Sequence, residues 1–141
     1  MDQSIRDLRQ QLATTAADIE TRLAGITEED LARPATYAGK EFSVRFVVHR
    51  LAAHAREHAL QVRKARRALG VPESEAQMIV AQFLEAEAAL LGETVGLTAT
   101  QFAQAPAEGE WSVKQVLEHL LASQKRFLET IEQSLGGPRK A

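Results

Sequence analysis

Trp111-Ser112-Val113-Lys114 opens a segment that repeats an earlier part of the chain, which begins at Phe42-Ser43-Val44-Arg45. The two segments align without a gap for about two dozen residues. In each segment an aromatic residue precedes a serine that suits a helix N-terminus, and apolar residues then recur at helical spacing. A Gly-x-Thr element lies upstream of both segments, at Gly25-Ile26-Thr27 and Gly96-Leu97-Thr98. The repeat therefore predicts two helical hairpins of the same plan.

Four long amphipathic helices account for most of the sequence. Apolar stripes predict them over about residues 5–23, 44–69, 75–95 and 113–135. Ser74 with Gln77, and Ser112 with Gln115, have the spacing of capping boxes. Pro34 and Gly39 mark a loop. Because each helix has one apolar stripe, we expect an all-α fold, a single four-helix bundle over residues 1–141 with repeat halves at about 4–69 and 74–135.

The composition excludes several classes of function. The chain has no cysteine, so disulfides, thiolate nucleophiles and cysteine-ligated zinc are ruled out. A net charge of −2 gives no global attraction to nucleic acid, and the basic cluster Arg63–Arg67 suits the C-terminal end of a helix. The N-terminus does not resemble a signal peptide, and the apolar runs are too short to cross a bilayer. A cytoplasmic protein with no membrane or nucleic-acid partner is expected.

Three of the four histidines occupy complementary slots of the repeat. Each slot holds a histidine in one copy and another residue in the other: Arg50/His119, His54/Ser123 and His58/Phe127. Since His54 and His58 are one helical turn apart, their imidazoles can reach one metal ion. His119 joins them if the two helices face a common axis. The alternative is that these histidines are hydrogen-bonded core residues.

The remaining candidates are predicted to lie on the surface. His49 points away from the apolar stripe of its helix. Glu57 and Glu118 each neighbour a histidine in sequence, which directs them away from it on a helix, so they are interpreted as surface residues rather than bases. The alternative is that they support the metal ligands from outside the coordination sphere. Trp111 is interpreted as a hydrophobic staple that packs on Val116, and the alternative is that it lines a substrate cleft. No catalytic base or nucleophile is identified.

The segment Gly109–Leu120 resembles the tryptophan-serine-valine helix of the DinB/YfiT-like superfamily, and His49–His58 is similar to that family's other histidine helix. The resemblance covers nearly the whole chain and implies a four-helix bundle, often dimeric. It also implies a divalent metal ion (nickel, zinc or iron) held by His54, His58 and His119. One departure stands out, because the paired histidines usually lie on the fourth helix and the single one on the second, the reverse of the order here.

The resemblance further implies a class of reaction. Three imidazoles and no carboxylate leave coordination positions open, as in catalytic metal sites, so that a water or a thiol can be activated there. The expected function is a metal-dependent thiol or small-molecule transferase, isomerase or hydrolase, acting as a homodimer on a small substrate such as a low-molecular-weight thiol. The alternative is a non-catalytic helical bundle, a dimeric binding or stress-related protein with no bound metal.

Overall fold

The computed structural model describes residues 2–137, which form helices and one small sheet. The long helices are α1 (Gln3–Leu23), α3 (Val44–Ala68), α4 (Glu75–Gly92) and α6 (Val113–Ser134), and the shorter elements are α2 (Glu28–Ala32), β1 (Pro34–Tyr37), β2 (Lys40–Ser43) and α5 (Ala99–Ala103). The prediction of a mostly helical chain is confirmed, and each long helix lies where an apolar stripe predicts it. The small sheet is an addition to that prediction.

The chain divides into two units. The first, here called the hairpin unit, is Gly25–Ala89 and contains α2, both strands, α3 and most of α4. The second, the Trp111 unit, joins the chain up to Ala24 with the chain from Leu90 onward, and so contains α1, α5 and α6. His54 and His58 belong to the hairpin unit and His119 to the Trp111 unit.

Hydrogen-bonded caps begin the corresponding helices in both copies of the repeat. The side chain of Ser43 accepts a hydrogen bond from the backbone N–H three residues on, at the start of α3. Ser112 does the same at the start of α6, where its own N–H also donates a hydrogen bond of 2.9 Å to Oε1 of Gln115. Upstream, Thr27 and Thr98 each close a capping box, on α2 and α5. The repeat seen in the sequence therefore corresponds to equivalent N-terminal caps, on α2 and α3 in the first copy and on α5 and α6 in the second.

The segment from Pro34 to Gly39, predicted as a loop, forms most of a β-hairpin instead. Strands β1 and β2 pair antiparallel, with Pro34 opposite Ser43. Ala38 (φ 52°) and Gly39 (φ 74°) make the two-residue turn, and left-handed backbone at both positions matches the twist of paired strands. The prediction was wrong because Ala-Gly lacks the Asn or Asp that usually signals such a turn.

The hairpin packs against the start of α3 through aromatic rings. Phe42 stacks on Phe46, with ring centroids 4.1 Å apart and planes 9° apart, and Tyr37 tilts against both rings at 6.5 Å. An ion pair of 2.7 Å between Arg45 and Glu28 ties α2 to the same helix. These contacts hold the first turn of α3, about two turns before His54.

Glycines end α3 and α6 in the same way. Gly70 (φ 66°) and Gly136 (φ 78°) adopt left-handed backbone one residue beyond the helix C-cap. The N–H of each glycine, and that of the residue after it, bond back to carbonyls of the last helical turn, which is the Schellman arrangement. The two copies of the repeat therefore share their helix ends as well as their starts.

The apolar stripes of the long helices remain accessible. Among residues 2–137, the side chains that are buried are polar, those of Ser112 and Ser123, and no apolar side chain is buried. Leu12 on α1 is 71% exposed, and Phe127 on α6 is 65% exposed. Within the units, α2 and the hairpin contact α3, and α5 contacts α6. Closure of the stripes into a four-helix bundle stays a prediction. None of the helices in the described residues is both long enough and apolar enough to span a lipid bilayer.

We expect Gly70→Ala to lower the free energy of unfolding by about 1 kcal/mol, because alanine is strained at the positive φ of this helix end. Gly92→Ala is the matched control, since Gly92 is helical and has no atom near the added methyl group. That change should raise the unfolding free energy by roughly 0.5–1 kcal/mol. Urea denaturation followed by far-UV circular dichroism measures both, and equal effects of the two substitutions would contradict the Schellman end.

Candidate functional site

His54 and His58 face each other on α3. Their Nε2 atoms are 3.1 Å apart, and their rings are nearly perpendicular at 86°, with centroids 4.3 Å apart. Two nitrogens that each lie about 2.1 Å from one metal ion are roughly 3.0–3.4 Å apart when the angle at the metal is roughly 90–110°. The observed separation therefore fits two neighbouring positions in one coordination sphere.

Gln61 determines which nitrogen of His58 carries the proton. Its Oε1 lies 2.6 Å from His58 Nδ1, and an amide oxygen only accepts hydrogen bonds, so the proton is on Nδ1. When the His58 imidazole is neutral, the lone pair of its Nε2 faces His54, whose own Nε2–H can donate to it. Metal-binding histidines usually donate a hydrogen bond from the ring nitrogen that does not bind the metal. The pair thus has the protonation pattern in which a metal ion can replace one proton.

A bidentate ion pair lies alongside the histidines on the same helix. The Arg50 guanidinium donates two hydrogen bonds of 2.8 Å to the Glu57 carboxylate, two turns further on. The hydrogen bond from Arg50 holds the pKa of the Glu57 carboxyl below its ordinary value, and the positive charge of Arg50 lowers it further. The same hydrogen bond raises the pKa of Arg50. Glu57 is therefore a fixed anion next to the two imidazoles.

His119 lies on α6 with a different set of neighbours. The Trp111 ring packs against its imidazole, with centroids 4.9 Å apart and planes at 59°. The Oγ atom of Ser123, a buried side chain, is 3.4 Å from His119 Nε2. Arg126 donates to that same Oγ at 3.2 Å, and the hydroxyl proton of Ser123 remains available for donation to Nε2. This arrangement suits an unprotonated Nε2, the form that a metal ligand requires.

Trp111 has contacts beyond the staple on Val116 that the sequence suggests. Its side chain is half-exposed and lines a groove of about 250 Å³ together with Pro106 and Val113. The glutamines Gln101 and Gln104 add amide groups to the wall of the groove. Trp111 therefore lies between the imidazole of His119 and a mostly apolar surface of the same unit.

The structure brings two of the three predicted ligands together. His54 and His58 are in direct contact, whereas His119 belongs to the other unit and has its own partners. Within either unit, the described residues contain no group of three histidine, aspartate or glutamate side chains arranged to hold a metal ion. The set of His54, His58 and His119 accordingly stays a prediction. His49 is exposed, as expected.

The carboxylates next to the histidines behave as the sequence suggests. Glu57 is exposed and paired with Arg50, and Glu118 is exposed and lies 3.6 Å from Lys114. Neither carboxylate makes a hydrogen bond to a histidine among the contacts of the described residues. The interpretation of both as surface residues is confirmed.

Sequence reasoning missed Gln61 and Arg50, two of the residues next to the paired histidines. Gln61 follows His58 by three positions, a spacing at which helical side chains meet. Arg50 and Glu57 are seven positions apart, and His119 and Arg126 have the same separation in the other copy. The repeat alignment places these two pairs at the same two positions of the helix. That correspondence is the sequence signal from which the Arg50–Glu57 pair could have been predicted.

Comparisons with known proteins agree with the resemblance read from the sequence. A family model described as the DinB superfamily matches residues 1–62 and 82–141. All three candidate histidines and Trp111 lie within the matched regions, and residues 63–81 lie between them. No curated protein and no solved structure matches the chain.

We expect Arg50→Gln to raise the pKa of Glu57 towards its ordinary value of 4.5, because the main cause of its lowering is removed. A carboxyl whose pKa is lowered in the folded state adds stability above its unfolded pKa, and this stability is lost as the pH falls through the folded pKa. The variant should therefore be less stable than the parent at neutral pH, with the difference disappearing below pH 4.5.

Carbon NMR of the Glu57 carboxyl and urea denaturation across this pH range measure the two effects. Arg56→Gln is the control, since it removes the same charge from an exposed position of α3. A Glu57 titration that is unchanged in Arg50→Gln, or shifted equally in the control, would contradict the role of the ion pair.

Proposed function

This chain belongs to the DinB superfamily, and from that membership we propose that it binds one divalent metal ion through His54, His58 and His119. The observation that carries the proposal is the His54–His58 contact, in which two Nε2 atoms lie 3.1 Å apart. Gln61 holds His58 in the tautomer whose Nε2 lone pair is directed into that contact. Imidazole nitrogens suit zinc, nickel and iron, and we propose a metal from this group.

Each neighbour has a part in the proposed site. His54 and His58 supply two nitrogens from one helix, and His119 supplies the third from α6. Glu57 is kept ionised by Arg50 and adds negative charge near the pair, which favours a bound cation. On α6, the Trp111 ring restricts rotation of the His119 imidazole. Because α3 and α6 begin with equivalent caps in the repeat, exchange of the usual histidine order between these helices is compatible with one site.

The proposed reaction is a transfer, isomerisation or hydrolysis of a small molecule. A divalent ion with three protein ligands has open positions, and it lowers the pKa of a water or thiol that enters them. The chain has no cysteine, so any reacting thiol comes with the substrate, and a low-molecular-weight thiol is the expected class. The groove beside Trp111 offers an apolar surface for part of that molecule in the same unit as His119.

The proposal includes a homodimer built from four-helix bundles. The apolar stripes support it, because side chains such as Leu8, Leu12 and Ile131 are half-exposed or more in a single chain. Apolar area of this extent gains free energy when another helix covers it, either in the same chain or in a second copy.

One equivalent of metal per chain is expected in protein purified without an affinity tag or chelator. His54→Ala, His58→Ala and His119→Ala should each lose most of it, since three-ligand sites depend on every ligand. Gln61→Ala should weaken metal affinity by roughly 10–100-fold while keeping the site. Elemental analysis gives the stoichiometry, and competition with a chromogenic chelator gives the affinity.

His49→Ala is the matched control, because this histidine is exposed on the same helix as the pair. A folded, metal-free parent protein that ignores added zinc and nickel would overturn the proposal and favour the non-catalytic binding protein. Loss of the metal from His54→Ala and His58→Ala but not from His119→Ala would overturn the assignment of His119 as the third ligand. Failure of a small thiol to produce a sulfur-to-metal band in cobalt-substituted protein would overturn the thiol substrate.

The proposed dimer predicts a mass in sedimentation equilibrium of twice the 15.5 kDa of one chain. The measurement is made on both chelator-treated and metal-loaded protein, so that dimerisation is separated from metal binding. A single-chain mass over the accessible concentration range would rule out the homodimer and leave the metal site to be judged by its own experiment.

A further inference from the structure

A second groove lies in the hairpin unit, between the end of α3 and the start of α4. It has a volume of about 240 Å³, and its lining includes Arg63, Arg66, Glu73, Gln77, Met78 and Glu85. Most of this lining falls within residues 63–81, the stretch that the DinB superfamily match leaves out. The groove therefore belongs to the part of the chain that differs from the family pattern, and it is separate from the candidate histidines.

The guanidinium of Arg66 has one buried nitrogen, Nε, without a hydrogen-bond acceptor among the described residues. Its Nη2 reaches Gln77 Oε1 at 3.4 Å, which is long for a hydrogen bond from a guanidinium. Buried donors in folded proteins are nearly always paired, so the free Nε and the long Nη2 contact leave the guanidinium of Arg66 short of acceptors in a groove that it lines.

The other charged side chains that line the groove have no ionic partner in the part of the chain that the structure describes. Within residues 2–137, neither Arg63 nor Glu73 nor Glu85 forms an ion pair. Two guanidinium groups that line one groove attract a carboxylate, which arginine binds in a bidentate way. The two carboxylates would repel a simple anion, and they would attract an ammonium group. The charges therefore match a ligand that carries both signs.

The size and the apolar part of the groove narrow the class of ligand further. Pockets for drug-sized molecules have volumes of roughly 300–1,000 Å³, so this groove suits a smaller compound. Met78 and Ala81 add apolar surface to the lining, and a methionine side chain adapts to different shapes. A small zwitterion with an uncharged side chain satisfies the charges and the apolar surface together.

We propose that this groove binds a free α-amino acid with an uncharged side chain. Its carboxylate pairs with Arg63 and Arg66, and its ammonium group pairs with Glu73 and Glu85. The proposal does not depend on the metal site, and it is tested on chelator-treated and metal-loaded protein alike.

The test is isothermal titration of the full chain with each free L-amino acid that has an uncharged side chain. At least one should bind, and Arg66→Gln and Arg63→Gln should each raise its dissociation constant at least tenfold. Arg67→Gln is the matched control, because it removes a neighbouring cation of the same helix end that does not line the groove. Circular dichroism checks that each variant is folded. If Arg66→Gln does not fold, the test is made with Arg63→Gln.

Two derivatives of the amino acid that binds distinguish a zwitterion site from a simple anion site. The deaminated acid and the decarboxylated amine should each bind at least tenfold more weakly than the amino acid. Glu73→Gln should weaken binding of the amino acid but not of the deaminated acid. Absence of binding by every amino acid, an equal effect of Arg67→Gln, or equal affinity for the deaminated acid would each overturn the proposal.

Discussion

The hydrogen bonds that start α3 and α6 are the constraint on which the other features depend. Ser43 and Ser112 each close the first turn of a helix, and Ser112 is the most buried side chain that the structure describes. Each capping serine fixes the residue at which the preceding segment stops and the helix begins. The hairpin and α2 can therefore pack on α3, and α5 on α6, at a defined distance from the histidines. The positions of His54 and His119 along their helices follow from these two starts.

The two copies of the repeat carry different residues at the same positions of α3 and α6. In the first copy Arg50 and Glu57 pair with each other and leave His54 and His58 to form a contact of their own. In the second copy the same slots hold His119 and Arg126, with Ser123 between them. One helix thus combines two imidazoles with an anion, and the other combines one imidazole with a cation held by a serine.

Local features of the structure could be predicted and longer-range ones could not. The capping boxes at Ser74 and Ser112, and the facing of His54 and His58, involve residues three or four positions apart, and backbone geometry dictates such contacts. The hairpin turn at Ala38 and Gly39 was missed because these residues have no strong turn preference. The support of His58 by Gln61 was missed for a different reason, since many side chains have that spacing and few of them use it.

By itself the sequence determined where the long helices begin, roughly where they end, and which histidines are neighbours on one helix. Those features depend on hydrogen bonds within one or two turns. The tertiary structure decided what lies against each helix. It placed Phe42 and Tyr37 on Phe46, and it brought Arg66 to Gln77 across the break between α3 and α4. These contacts join segments that no helical period relates, so their energy depends on packing and on the path of the connecting chain.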